Sequence, residues 1–299
     1  MTFRPAGIMA ALATPWRSDG GLDMAGLERL VERIVGGGAV GISPAGSTGE
    51  GALLTRAQRI DLAGRVRKLV PPGMPVIPGV PLATLADGRA ELDALAEAGA
   101  TAALVAPPHY YPLGDDSVRQ LYAELAEGSP LPIVLYNIPV FTKVQLSPAV
   151  VGWLAEHPSV IGIKDSSRDM DYQQQVIMAT ASADFAVLTG TDTLLVASLA
   201  FGAAGTIAAS VNVVPEVVSG LYHAYLAGDI ATAVRSQQQL ARIGAVCRRG
   251  FFPAGWKAAL EIAGVCDRHP VPPGTPLTAA EFDQLADALR TAGIAGIVH

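Results

Sequence analysis

Eight short apolar runs, none alternating with polar residues, succeed one another through the first 208 residues of this 299-residue chain. They fall at 8–13, 39–44, 75–80, 101–106, 133–136, 160–164, 185–189 and 205–208. A strand with one wet face alternates apolar and polar side chains, whereas a continuous apolar run fits a strand buried on both faces, the habit of parallel sheets. Amphipathic segments at 23–35, 56–70 and 87–98 lie between the runs, as parallel crossovers require. Their ends are marked: Thr55 opens a Thr-x-x-Gln capping box, Ser147 precedes Pro148, and Gly99 follows the 87–98 segment. Eight βα units in one series predict an α/β fold of the (β/α)8 TIM barrel type, with a doubly wound open sheet as the rival. Only helical patterns follow, at 216–226, 230–247, 253–263 and 279–292. The last three read as a C-terminal extension, dividing the chain into a barrel at 1–228 and helices at 229–299.

Composition narrows the function classes. Half the residues are hydrophobic and 16% are charged, enough for a large core covered on both sheet faces. The net charge of −6 and the lack of a basic stripe argue against a nucleic-acid partner. An anionic substrate would have to be drawn in by local groups. Cys247 and Cys266 form no C-x-x-C pair and read as free thiols of a reducing cytoplasm. His109, His157, His223, His269 and His299 show no ligand spacing, so no metal site is expected. Residues 8–13, bracketed by Pro5 and Pro15, read as a strand and not as a signal peptide. The apolar stretch 194–214 is broken by Gly202 and Gly205 and contains Asn212, so it reads as a helix and a buried strand, not a membrane span.

Barrels build their active sites at the C-terminal ends of the strands, and polar residues of this chain collect there. The second run leads into Gly46-Ser47-Thr48-Gly49-Glu50, the fourth into His109-Tyr110-Tyr111, and the fifth into Tyr136-Asn137-Ile138-Pro139. The sixth ends in Lys164-Asp165-Ser166-Ser167 and the seventh in Gly190-Thr191-Asp192. Lys164 closes an apolar strand; a desolvated amine there could attack a carbonyl and form a Schiff base. The plainer alternative is a lysine that reaches solvent or pairs with Asp165. Ser47 and Thr48 offer hydroxyls and turn amides to a small anion, or else an ordinary capped turn. The segment falls one residue short of a G-x-S-x-G elbow and lacks the lysine of a phosphate-binding loop. Tyr136 could relay protons, or be a core tyrosine bonded to a backbone carbonyl. Tyr110 and Tyr111 suit packing or a subunit interface.

Together, Gly46-Ser47-Thr48-Gly49-Glu50, Tyr136-Asn137-Ile138-Pro139 and Gly162-Ile163-Lys164, with residues 7–15 ahead of them, resemble the dihydrodipicolinate synthase/N-acetylneuraminate lyase family over essentially the whole chain. The resemblance implies a (β/α)8 barrel with C-terminal helices, a homotetramer, and class I lyase or aldolase chemistry on pyruvate or another 2-oxo acid and an aldehyde, with no metal or organic cofactor. Carried over by motif, Lys164 would form the Schiff base, Tyr136 would relay protons, and Ser47 and Thr48 would hold the 2-oxo acid carboxylate. Tyr110 would reach a neighbouring subunit's site, and the Ile207 carbonyl would face the chain's own. Ser166, Gly190 and Asp192 are further substrate-side candidates.

Departures from the family pattern bear on the second substrate. Synthases of the lysine precursor resemble Tyr-Asn-x-Pro-x-Arg-Thr, with the arginine on a carboxylate; here Phe141 stands in that place, with Lys143 nearby. The tract 108–113 and Tyr136 to Pro139 look more like the sialic acid lyase branch. That branch has an acidic pair where this chain has Asp192-Thr193, and a serine where it has Ala209. The expectation is a lyase nearer the neuraminate lyase or 2-keto-3-deoxy sugar acid branch, with an apolar pocket that would also suit an aromatic or aliphatic aldehyde. The 4-hydroxy-tetrahydrodipicolinate synthase reaction and a non-catalytic 2-oxo acid binding protein are the alternatives.

Overall fold

The computed structural model describes residues 3–291. The end of the last expected helix, at 292, and the tail of the 229–299 extension to His299 lie outside the described residues. Eight strands form one parallel sheet: β1 (Gly7–Ala11), β2 (Gly41–Ser43), β3 (Gly79–Pro81), β4 (Ala103–Ala106), β5 (Ile133–Asn137), β6 (Val160–Asp165), β7 (Ala186–Thr189) and β8 (Gly205–Ala208). Their order is β2-β1-β8-β7-β6-β5-β4-β3. The two ends meet through a parallel bridge between Ile42 and Val76, where Ile42 N–H donates to Pro75 O and Ile77 N–H to Ile42 O. The ring is therefore a (β/α)8 barrel, and the open doubly wound sheet is excluded.

The third strand departs most from the sequence reading. Its expected span was 75–80, yet the regular strand is Gly79–Pro81, and Val76 makes only the isolated bridge. Pro75 and Pro78 have no amide hydrogen, so a continuous ladder cannot run through them. Elsewhere the boundaries agree within two or three residues. The Thr55 and Gln58 capping box forms, and Asp23 and Ser147 cap their helices by accepting from Gly26 N–H and Val150 N–H.

Inside the ring, Met9, Leu104, Val134, Ile161, Leu188 and Ile207 form a closed apolar plug. Side chains on the opposite strand faces pack beneath the helices. The stretch 194–214 resolves into a helix (Leu195–Ala200), β8 and a short turn in which buried Asn212 donates to Ala11 O and Ala209 O. Among the described residues, no helix is long and apolar enough to cross a membrane.

After the helix Pro215–Leu226 come Ile230–Cys247, Ala254–Ile262 and Ala279–Thr291. These helices return to the barrel mouth. Lys257 Nζ lies 2.6 Å from Glu50 Oε2, both side chains fully buried, and Val271 N–H donates to Glu50 Oε1 at 2.7 Å. The turn after β2 is thus clamped to the C-terminal helices by a charge pair that would be costly to leave half-made.

Candidate active site

Residues of successive strands in register share a level of the barrel, and side chains alternate between its inside and outside. Tyr136 of β5 pairs with Lys164 of β6, and Asn137 pairs with Asp165. The first pair turns inward and lines a cavity of about 320 Å3 at the C-terminal ends of the strands. The second turns outward and is knitted into the wall. Asn137 Nδ2 donates to Asp165 Oδ1 at 2.8 Å, Leu146 N–H donates to Asn137 Oδ1, and Ser167 donates to Asp165 through both its amide and its hydroxyl. Burial raises the Asp165 carboxyl above the ordinary carboxylate value, against the pull of those hydrogen bonds.

Lys164 is only 4% exposed and has no ion-pair partner among the described residues, so pairing with Asp165 is excluded. Its Nζ sits 4.4 Å from the centroid of the Tyr136 ring, a cation–π contact that orients the amine without neutralising it. Gly190 makes room for this chain: a Cβ there would fall 2.9 Å from Lys164 Cε and 2.0 Å from Ser166 Oγ.

Tyr136 differs from the other core tyrosines. Tyr122 OH donates to Val105 O and Tyr172 OH to Leu146 O, and burial drives both phenols upward. Tyr136 OH instead meets Ser47 Oγ at 3.2 Å, side chain to side chain at the cavity wall. The backbone-bonded alternative therefore fails for Tyr136 and holds for Tyr122 and Tyr172.

Ser47 and Thr48 line the same cavity, and their amides meet no acceptor among the described residues. The turn is tight. Ala45 and Glu50 both have left-handed backbone, with φ of 55° and 60°. A Cβ on Gly49 would meet Leu12 O at 2.7 Å. Free amides beside two hydroxyls make a small anion cradle.

The remaining candidates divide. Ser166, Gly190, Ile207 and Phe141 line the cavity, the last tilted against Phe252 with ring centroids 5.7 Å apart. Asp192 lines it too, but its carboxylate is engaged by Arg248 at 3.1 Å and by the Ser210 amide. Tyr110 is 81% exposed, edge-on to Tyr111, and stands outside this chain's cavity. Lys143 gives no compensation for Phe141, because its exposed ammonium donates to Val140 O and Lys143 does not line the cavity. His109 borders a second, apolar cavity of about 430 Å3 that shares Ser47, Tyr136 and Phe252 with the first. Both cysteines are buried and free, their thiols pushed up to about 12 by burial.

Four cavity residues escaped the sequence reading: Arg168, Arg248, Phe252 and Trp256. The last three come from the C-terminal extension, Arg248 and Phe252 from the turn between two helices and Trp256 from the helix after it, where the hydrophobic pattern marks only helices. One signal did exist, the charged Glu50 in an otherwise apolar setting, which demands a cation from elsewhere in the chain.

The sequence matches the dihydrodipicolinate synthetase family over residues 4–292. It is 32% identical over 289 residues to a 4-hydroxy-tetrahydrodipicolinate synthase of Methanoculleus marisnigri, covering 96% of this chain and 99% of that protein. A DapA-like lyase of Halobacterium salinarum is 34% identical over 258 residues, 86% of this chain and 84% of its own. Among solved structures, Escherichia coli K12 YagE, a dihydrodipicolinic acid synthase family protein crystallised with pyruvate, superposes with a TM-score of 0.92. Its sequence identity is 29%, with 97% of this chain and 99% of that one covered.

Proposed function

The chain belongs to the dihydrodipicolinate synthetase family, and on that premise we propose that it makes or breaks a carbon–carbon bond between pyruvate, or a related 2-oxo acid, and an aldehyde through an imine on Lys164. The observation that carries this reading is a buried lysine, without an ion-pair partner among the described residues, in register with a tyrosine whose hydroxyl meets Ser47 at one cavity. The Lys164 amine would add to the 2-oxo carbon, and water would leave as the imine forms. The protonated imine then draws in the electron pair of a C–H bond on the neighbouring carbon, whose proton leaves to Tyr136 or water, and the resulting enamine attacks the aldehyde. The aldehyde oxygen takes up a proton, water hydrolyses the regenerated imine to free Lys164, and cleavage runs the same steps in reverse. Tyr136 OH is placed to pass protons at the carbinolamine and at the aldol oxygen. Ser47 and Thr48 would hold the carboxylate on their hydroxyls and amides.

Borohydride reduction in the presence of pyruvate should fix a stable mass on Lys164, and Lys164→Ala should lose both the adduct and turnover. Tyr136→Phe should lower kcat more than it raises KM. An adduct absent from Lys164 would sink the reading.

On the second-substrate side, the apolar surfaces of Phe141 and Ala209 support a shorter 2-keto-3-deoxy sugar acid as the molecule cleaved, or an aromatic or aliphatic aldehyde as the acceptor, over the polyol chain of sialic acid. The names of the relatives favour a second reading, the 4-hydroxy-tetrahydrodipicolinate synthase reaction, or that of a DapA-like lyase, over the neuraminate lyase branch. Pyruvate release measured across 2-keto-3-deoxy acids and sialic acid separates these. Pyruvate binding without turnover on any aldehyde would instead favour a non-catalytic 2-oxo acid binding protein.

A further inference from the structure

The turn that carries Ser47 and Thr48 is fastened from three sides. Thr14 Oγ1, just beyond β1, donates to Gly49 O at 2.8 Å. Arg59 of the helix Arg56–Leu69, paired with Glu91, donates to Gly51 O at 3.2 Å. Those two bonds end on backbone carbonyls, whereas the third ends on a side chain. Glu50, only 4% exposed, holds Lys257 Nζ at 2.6 Å on one carboxylate oxygen and Val271 N–H at 2.7 Å on the other. Both partners belong to the C-terminal extension, and Lys257 Nζ meets no other acceptor among the described residues. Burial pulls the Lys257 ammonium below its ordinary value, and the Glu50 carboxylate is the chief group holding it up.

Glu50 lies two residues beyond Thr48 and is held at φ 60°, a left-handed conformation that glycine adopts freely and glutamate does not. Such strain persists where the surroundings over-determine it, and here the two bonds to the carboxylate supply the constraint. Glu50 N–H returns to Ser47 O at 3.1 Å and Gly51 N–H to Gly46 O at 3.0 Å. The backbone of Glu50 and the peptides of Ser47 and Thr48 therefore share one hydrogen-bonded loop, and relaxing the first would turn the others. Amide donors grip a single carboxylate only while they converge on it, within about 0.5 Å and 10–20°. Lys164 and Tyr136 stand on a ladder of β5 and β6 that is built without Glu50.

From this arrangement we infer that Glu50 and Lys257 are positioning residues for the 2-oxo acid. The pair holds the turn so that the Ser47 and Thr48 amides converge on the substrate carboxylate, and through it the C-terminal extension sets the affinity for a carboxylated donor. The inference rests on the imine reading above, with the 2-oxo acid carboxylate at Ser47 and Thr48. Trp256, adjacent to Lys257, lines the same cavity, so one helix supplies both a wall of the site and the anchor of its cradle.

The test uses the full chain and reads imine formation alone, with no aldehyde present. Borohydride trapping on Lys164 is followed against the concentration of pyruvate and of methyl pyruvate, which offers the same ketone beside a neutral ester. The wild type should half-saturate with pyruvate at a concentration at least about tenfold lower than with methyl pyruvate, the worth of one charge-assisted contact. Glu50→Gln and Lys257→Met should each raise the pyruvate value about 10–100-fold and the methyl pyruvate value less than about threefold. The double variant Glu50→Gln, Lys257→Met removes both buried charges. It should recover thermal midpoint and still leave the pyruvate value raised, which a purely structural pair would not do. No adduct on Lys164 in the wild type overturns the imine reading and this one together. Adduct formation without preference for pyruvate, unchanged pyruvate values in the variants, an equal loss for both ketones, or a double variant that regains pyruvate affinity along with its fold overturns this inference alone. So does a failure of all three variants to fold, which would make the pair a requirement of the barrel and not of the cradle.

Discussion

Lys257 is fully buried against the Glu50 carboxylate, and Lys164, nearly as buried, faces a cavity over an aromatic ring with no carboxylate on it among the described residues. The hydrophobicity of the residues just before them does not separate the two, since each follows an apolar stretch. What separates them is long-range, a glutamate 207 residues away in one case and a tyrosine one strand over in the other. Asp165, beside Lys164, offers a titration handle on the wall of the site. Its carboxyl keeps its proton to higher pH in the folded chain than in the unfolded one. The stability due to that proton is complete below the unfolded carboxyl value of about 4 and is lost as pH rises through the folded value. Asp165→Asn can keep the bonds to Asn137 and Ser167 and carries no charge, so its thermal midpoint should gain on the wild type as pH is raised across that window. A difference flat with pH from 4 to 8 would contradict this.

Secondary-structure elements were legible where one physical signal dominated. The run at 205–208 is β8 with the same bounds, and 230–247 is a helix with the same bounds, because one is a pure apolar run and the other a long 3.6-residue pattern. β3 was misplaced because two prolines interrupt its hydrogen bonding without interrupting its hydrophobicity. The turn after β2 is the element whose energetics lie furthest from its own residues. Lys257→Met leaves Glu50 buried and uncompensated, so a destabilisation of about 3–5 kcal/mol is expected in urea unfolding. The double variant Glu50→Gln, Lys257→Met should recover part of that loss. If the single and double variants unfold alike, the ion pair is not what holds the turn.

At the scale of the whole molecule, the alternation of apolar runs and helical patterns was enough to identify the barrel. The tertiary use of the C-terminal helices was not, because amphipathic periodicity says which face is buried and not against what. Trp256 and Lys257 show the answer, packing into the mouth itself. One unfolding transition is therefore expected, with far-ultraviolet circular dichroism and tryptophan fluorescence coinciding in urea. A chain cut after residue 228 should fail to give a native barrel. Two resolved transitions, or a folded truncate, would show that the extension is an accessory.

The rung of Tyr136 and Lys164 lies one residue before the rung of Asn137 and Asp165. A single-residue insertion or deletion inside β5 or β6 would exchange the two. Tyr136 and Lys164 would face the helices, and Asn137 and Asp165, the wall's own fastenings, would face the cavity. Site and scaffold are written in one reading frame here, so variation in length is confined to the loops beyond the strand ends. Those loops, and the helices that fold back over them, are the parts of this chain that can change in length while the two rungs keep their faces.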